Sequence, residues 1–75
     1  MQIQFKRFDV RKLLAEGIEP YAEIRKRVDA LKVGEGIAII APFLPSPLIE
    51  KLHSEGFTSR VEPQPDGSWV TYFSK

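Results

Sequence analysis

The five residues Ile37-Ala38-Ile39-Ile40-Ala41 constrain this chain more than any other stretch. The run is continuously apolar and rich in β-branched residues, with Gly34-Glu35-Gly36 before it and Pro42 after it. So short a segment, with no polar residue on either parity, reads as a strand buried on both faces with a neighbour on each side. A chain of 75 residues that places such a strand at its middle must build a sheet around it. The length allows a single domain over residues 1–75 and buries only about 60% of the unfolded surface. Composition can meet that demand: Leu, Ile, Val and Phe supply 23 of the 75 residues, above the roughly 20% below which chains stay disordered.

Other elements fall in place around that strand. Ile3 and Phe5 alternate with Gln2, Gln4 and Lys6, the pattern of a half-buried first strand. Phe8 and Val10 then sit on the opposite parity, so a bulge near Lys6–Arg7, or a strand end there, is expected. Residues 11–17 read as a turn or a loose helical turn before Gly17. A helix is expected from Glu19 to Leu31, with Pro20 in its first turn and a stripe of Tyr21, Ile24, Val28 and Leu31 spanning about 80°. After the central strand, Ser46 reads as an N-cap with Pro47 at the first helical position, opening a short helix through His53. Phe57–Glu62 and Ser68–Ser74 read as two strands joined at Pro65-Asp66-Gly67, where Pro presets φ and Gly accepts a positive φ. The order is β-α-β-α-β-β. Right-handed crossovers then give an α/β (α+β) two-layer sandwich, a mixed four-stranded sheet with two helices on one face.

Several chemistries are excluded. The chain has no cysteine, so disulfides, thiolate nucleophiles, persulfide carriage and Cys-ligated metal sites cannot form. His53 is the sole histidine, so no two-histidine metal site forms within one chain. No cofactor or metal is expected. The segment MQIQFKRFDV lacks the apolar core of a signal peptide and no run of about 18 apolar residues follows, so no membrane contact and a cytoplasmic placement are expected. A net charge of +1 argues against a dedicated polyanion binder, and nucleic acid is not an expected partner. The charge is uneven, with eight bases and five acids in residues 1–33 and three bases and five acids in residues 34–75.

Four short motifs stand in order along the chain: Phe8-Asp9-Val10-Arg11, Gly17-Ile18-Glu19-Pro20, Gly34-Glu35-Gly36 before the apolar strand, and Gly56-Phe57 before the hairpin. In order and spacing they resemble the sulfur-carrier TusA/SirA-like superfamily, most closely its branch of small bacterial domains of unknown function without the sulfur cysteine. The resemblance covers roughly Phe8 to Phe73 and implies the same two-layer fold. The sulfur carriers have Cys-Pro-x-Pro where this chain has Gly17-Ile18-Glu19-Pro20, and the stretch from Asp9 to Gly17 is two residues longer than theirs. Persulfide transfer needs a thiolate. The resemblance therefore implies the fold without the carrier's reaction.

Candidate site residues gather in two loops. In open α/β sheets, ligands sit beyond the carboxyl ends of parallel strands, which here means residues 9–19 and 42–47. Asp9, Arg11 and Glu19 mark the first loop, and Phe43 and Leu44, flanked by prolines, mark the second. Each has a structural reading beside the functional one: Asp9 accepting local N–H bonds, Arg11 pairing with an acid, Phe43 and Leu44 capping the core. Arg25-Lys26-Arg27 spread around their helix and are met by Glu23 and Asp29 at i,i+4, so they read as a solvated face. His53 reads as a surface residue bonded to Glu50. On the last strand, Trp69, Thr71 and Phe73 share one face and Val70 and Tyr72 the other. One set packs under the helices; the other would form an apolar patch on the open face with Ile40 and an aromatic of the first or third strand, suited to a second copy of the chain or a partner. The expectation is a non-catalytic module that binds a protein partner or a small ligand. The alternatives are an accessory protein in sulfur or redox metabolism that docks to sulfur-transfer partners and, third, weak RNA binding through sheet aromatics.

Overall fold

The computed structural model describes residues 2–75. Four strands, β1 (Gln4–Asp9), β2 (Glu35–Ala41), β3 (Thr58–Pro63) and β4 (Trp69–Ser74), form one sheet in the order β1-β2-β4-β3. β1 runs parallel to β2, and β4 is antiparallel to both β2 and β3. Helices α1 (Arg11–Ala15), α2 (Tyr21–Asp29) and α3 (Ser46–Ser54) complete the chain. The expected mixed four-stranded sheet with helices is the one found. Its order is β-α-α-β-α-β-β, because residues 11–15 close a true helical turn ahead of α2.

The apolar run is the central strand, and its alternation supplies two separate clusters. Ile37, Ile39 and Ala41 face the helices with Val10, Ile24, Val28, Leu52 and Phe73. Ala38 and Ile40 face the other way, with Val70 and Tyr72 and no helix. The fourth strand divides as expected, Phe73 into the main core and Val70 and Tyr72 onto the open face.

The first strand corrects the sequence reading. Its register runs unbroken from Gln4 opposite Glu35 to Asp9 opposite Ile40, with neither a bulge nor an end at Lys6–Arg7. The change of parity is a division between faces. Phe5 lies on the helix-free face, its ring edge-to-face with Tyr72 at 5.1 Å between centroids, while Phe8 and Val10 turn towards the helices. Ile3 and Phe5 are exposed rather than half-buried, since no helix covers that side of an edge strand.

Helix boundaries also move. α2 starts at Tyr21 with Pro20 as its N-cap, because the Glu19 carboxylate turns back to accept the Tyr21 N–H at 2.9 Å and so occupies the capping role instead of joining the helix. It ends at Asp29, and Leu31 packs on the core from beyond it. In α3 Pro45 is the N-cap and Ser46 the first helical residue, with no side-chain cap bond. The expected Glu50–His53 hydrogen bond is not formed among the described residues, and His53 is exposed. Both i,i+4 pairs are made, Arg25–Asp29 at 2.6 Å and Arg27–Glu23 at 3.2 Å. Arg25 also reaches Glu55 at 2.8 Å, tying α2 to the end of α3. The hairpin turn forms as its residues dictate: the Gly67 N–H donates to the Gln64 carbonyl at 3.0 Å, leaving Pro65 and Asp66 at the centre.

One buried polar atom stands out in this core. Thr71 is fully buried and its Oγ1 has no hydrogen-bond partner. A buried hydroxyl without a partner costs about 1–3 kcal/mol, and valine has nearly its shape. Thr71→Val is therefore expected to raise stability by about 1 kcal/mol, read as a higher urea midpoint at unchanged slope. A lowered midpoint would show that the hydroxyl is satisfied in solution.

Candidate functional site

Where β1 and β2 end, side by side, three segments enclose a cleft of about 270 Å3. Val10 and Leu14 enter it from the end of β1 and from α1, and Ile39 and Ala41 from β2. The start of α2 contributes Glu19, Pro20, Tyr21 and Ile24. The far wall is Phe43 and Pro45 of the connecting loop with Pro47 and Leu48 of α3. The lining is apolar apart from Glu19 and the Tyr21 hydroxyl. Such a lining, with few polar groups, is typical of ligand pockets, and the volume lies just below their usual range of about 300–1,000 Å3.

Local sequence builds each wall. The Val10 N–H donates to the Ile40 carbonyl at 2.9 Å, carrying the sheet ladder one residue past β1 and locking Val10 against β2. α1 then ends in a Schellman turn: the Gly17 N–H donates to Leu14 O at 3.0 Å and the Ile18 N–H to Leu13 O at 2.8 Å. Gly17 sits at φ +76°, which side chains rarely adopt. Gly17 is thus required by the turn that aims the chain into α2. Proline limits the opposite wall, with Pro42, Pro45 and Pro47 spaced around Phe43. Phe43 is 50% exposed and Tyr21 40%, so two aromatic rings flank the mouth.

The five candidate residues do not converge. Glu19 and Phe43 border the cleft; Leu44 is exposed on the same loop but outside the lining. Asp9 lies in a furrow beside α1 and α2, with Phe8, Lys12, Ile18, Glu19 and Arg27. Arg11 turns to a third hollow, against the hairpin turn, with Arg7, Gln64, Asp66 and Ser68. Sequence reasoning placed Tyr21 and Ile24 in a core stripe and passed over Val10, Leu14 and Leu48 as site residues. The signal that could have found Val10 and Leu48 is their position next to a parallel strand end or a proline; Leu14, five residues past β1, had no such signal.

Asp9 and Arg11 take the structural role foreseen for them. The Arg11 N–H donates to Asp9 Oδ1 at 3.0 Å, and the guanidinium meets both Asp9 oxygens, the closer at 2.6 Å. It also spans 55 residues to Asp66 at 3.2 Å, fastening the start of α1 to the hairpin turn. The side-chain hydrogen bond from Arg11 holds Asp9 below its ordinary pKa. Asp66 is lowered as well, chiefly by the Ser68 hydroxyl and N–H. Arg25 does the same for Asp29 and Glu55. A carboxylate with a depressed folded-state pKa adds stability above its unfolded pKa, and that stability is lost as pH falls through the folded value. Thermal stability is therefore expected to be level from pH 8 to about 5 and to fall below pH about 4. Arg11→Leu should make that fall shallower; an identical acid limb in the variant would show that Arg11 does not set it.

Among the described residues, no group of three or more His, Asp or Glu is placed to hold a metal ion. Among the described residues, no helix is long and apolar enough to cross a membrane. The model of a family described as "Uncharacterized conserved protein (DUF2249)" matches residues 7–75. No curated protein and no solved structure matches the chain.

Proposed function

We propose that this chain, a member of the DUF2249 family, is a non-catalytic binding module that holds an apolar group in the cleft at the ends of β1 and β2. The observation that carries this reading is the contrast between the two apolar surfaces. On the open sheet face, Ala38, Ile40 and Val70 are already buried although no helix lies over them. Side chains of the neighbouring strands screen that face: Phe5 and Tyr72 meet edge to face, Arg60 stacks on Tyr72 at 4.5 Å, and Glu62 accepts the Tyr72 hydroxyl at 3.1 Å. A second copy or an RNA base would have to displace those contacts, which favours the cleft over the sheet face for either kind of partner. The floor of the cleft is buried to the same degree, Ile24 at 5% and Ile39 at 1%, but it lies beneath a hollow whose mouth carries two exposed rings, Tyr21 and Phe43. The lining offers no nucleophile–base pair, and His53 is not part of it, which supports a binding role rather than a reaction.

Kinship with the TusA/SirA-like carriers belongs to the same proposal. Two features support it: the path of the chain through its four strands, and the Gly17-Ile18-Glu19-Pro20 segment, whose last two residues border the cleft. On that reading the cleft is where an accessory protein without cysteine would meet its sulfur-transfer partners. Capture of a sulfurtransferase or a sulfur carrier by the tagged protein would support it; capture of unrelated proteins alone would remove it.

The test of the cleft itself is an amide NMR titration with hexan-1-ol as an apolar probe. Shift changes are expected at Val10, Leu14, Tyr21 and Ile24, with millimolar affinity. Phe43→Asp should weaken binding by about tenfold, since it replaces an apolar wall with a charge, while leaving the circular dichroism spectrum unchanged. Changes centred on Phe5 and Tyr72, or undiminished binding in the variant, would overturn the assignment.

A further inference from the structure

Resting on that reading of the cleft, we infer that its ligand is a small aliphatic amine, a chain of about six to eight carbons ending in a protonated primary ammonium. The charge of the lining points there. Glu19 is the one charged residue bordering the cleft; Lys12 and Arg27 lie with it in the neighbouring furrow and not in the cleft, and Arg27 is paired with Glu23. Its Oε1 is engaged by the Tyr21 N–H, which holds the carboxylate at the rim and leaves Oε2 outside that bond. Arg25, one turn along α2 from Tyr21, is matched by both Asp29 and Glu55 and so does not compensate Glu19.

The exposed rings of Tyr21 and Phe43 add a second attraction for a cation, since the face of an aromatic ring carries negative potential. An anionic head would be repelled by the Glu19 carboxylate, and a hydroxyl head could donate a hydrogen bond to it but would lack the attraction of a full positive charge. The apolar remainder sets the length of the tail. At a water's share of about 30 Å3, the cavity takes roughly nine non-hydrogen atoms, which suits a six- to eight-carbon amine. A lysine side chain reaching in from a partner brings only five atoms beyond Cα and would leave part of the cavity unfilled.

Matched probes separate this inference from the reading beneath it. Hexylammonium, hexan-1-ol and hexanoate share one tail and differ in the head group, and each is titrated by amide NMR at low salt. Hexylammonium is expected to bind about fivefold more tightly than hexan-1-ol, with hexanoate weakest. Raising the ionic strength should shrink that preference, because an exposed ion pair is screened. Glu19→Gln keeps an oxygen for the Tyr21 N–H and removes the charge; it should abolish the preference for hexylammonium over hexan-1-ol. Equal binding of the two probes by the unaltered protein would overturn the amine assignment and leave the apolar cleft standing. Binding of Nα-acetyl-lysine methylamide as tightly as hexylammonium would overturn the free amine in favour of a lysine side chain. Absence of shift changes at the cleft with every probe would remove the cleft reading, and this inference with it.

Discussion

Phe73→Ala is expected to cost about 3–5 kcal/mol, the usual range for deleting a buried aromatic ring. Phe73 is 0% exposed and is the bulkiest of the fully buried side chains. It sits on β4 opposite Ile37 of the central strand and Ser59 of β3, inside the cluster that joins the sheet to α2 and α3. A chain of this size has about 4–11 kcal/mol in total at ordinary per-residue stability, so this one truncation removes a large part of it. Guanidinium denaturation followed by circular dichroism would read the loss as a collapsed midpoint or as no folded baseline at all. Phe73→Leu, which keeps most of the volume, should lose less than half as much. A cost below about 1 kcal/mol for the alanine variant would mean that the ring is not the centre of the core.

The second large effect is expected where there is no side chain to remove. A Cβ added at Gly36 would stand 2.6 Å from the carbonyl oxygen of Phe73 and 2.7 Å from two carbons of the Phe5 ring. The carbonyl belongs to the adjacent strand β4 and cannot withdraw without disturbing the sheet. The Phe5 ring can turn away, but then gives up its contact with Tyr72. Gly36→Ala should therefore destabilise by about 1–3 kcal/mol, the range for overpacking a well-filled site. Combining it with Phe5→Ala tests which neighbour resists. Partial recovery of the thermal midpoint is expected, because the carbonyl clash remains. Full recovery would place the whole clash on the ring.

Much of this fold was legible in the sequence, for reasons that act over short distances. The unbroken run Ile37–Ala41 could only be an interior strand, and it is. Pro65-Asp66-Gly67 specified a turn through φ preferences alone, and Arg25–Asp29 and Glu23–Arg27 are neighbours in any helix. The carboxyl ends of the parallel strands, with the 9–19 and 42–47 loops, marked the place where the cleft lies.

What could not be read was which residues of those loops share a space. Asp9, Arg11 and Glu19 lie within eleven consecutive positions, yet Asp9 and Arg11 bond to each other, Arg11 also to the hairpin turn, and only Glu19 borders the cleft. Arg11 holds the nearby Asp9 at 2.6 Å and also reaches Asp66 at 3.2 Å, a partner 55 residues away that no local pattern announces. The first strand makes the same point. Its broken parity looked like a bulge because a single strand does not reveal that its two faces meet different neighbours, Tyr72 on one and the helices on the other.

The sequence by itself therefore determined the four strands, the two longer helices and the hairpin turn, since propensity and periodicity are settled within a few residues. The short helix α1 and the helix caps were fixed by the folded chain. Only the tertiary structure decided how Glu19, Tyr21 and Phe43 come to ring one apolar cavity, and that the open sheet face is screened by its own side chains. Those outcomes depend on strand register and on contacts between distant segments, which exist only once the sheet has closed.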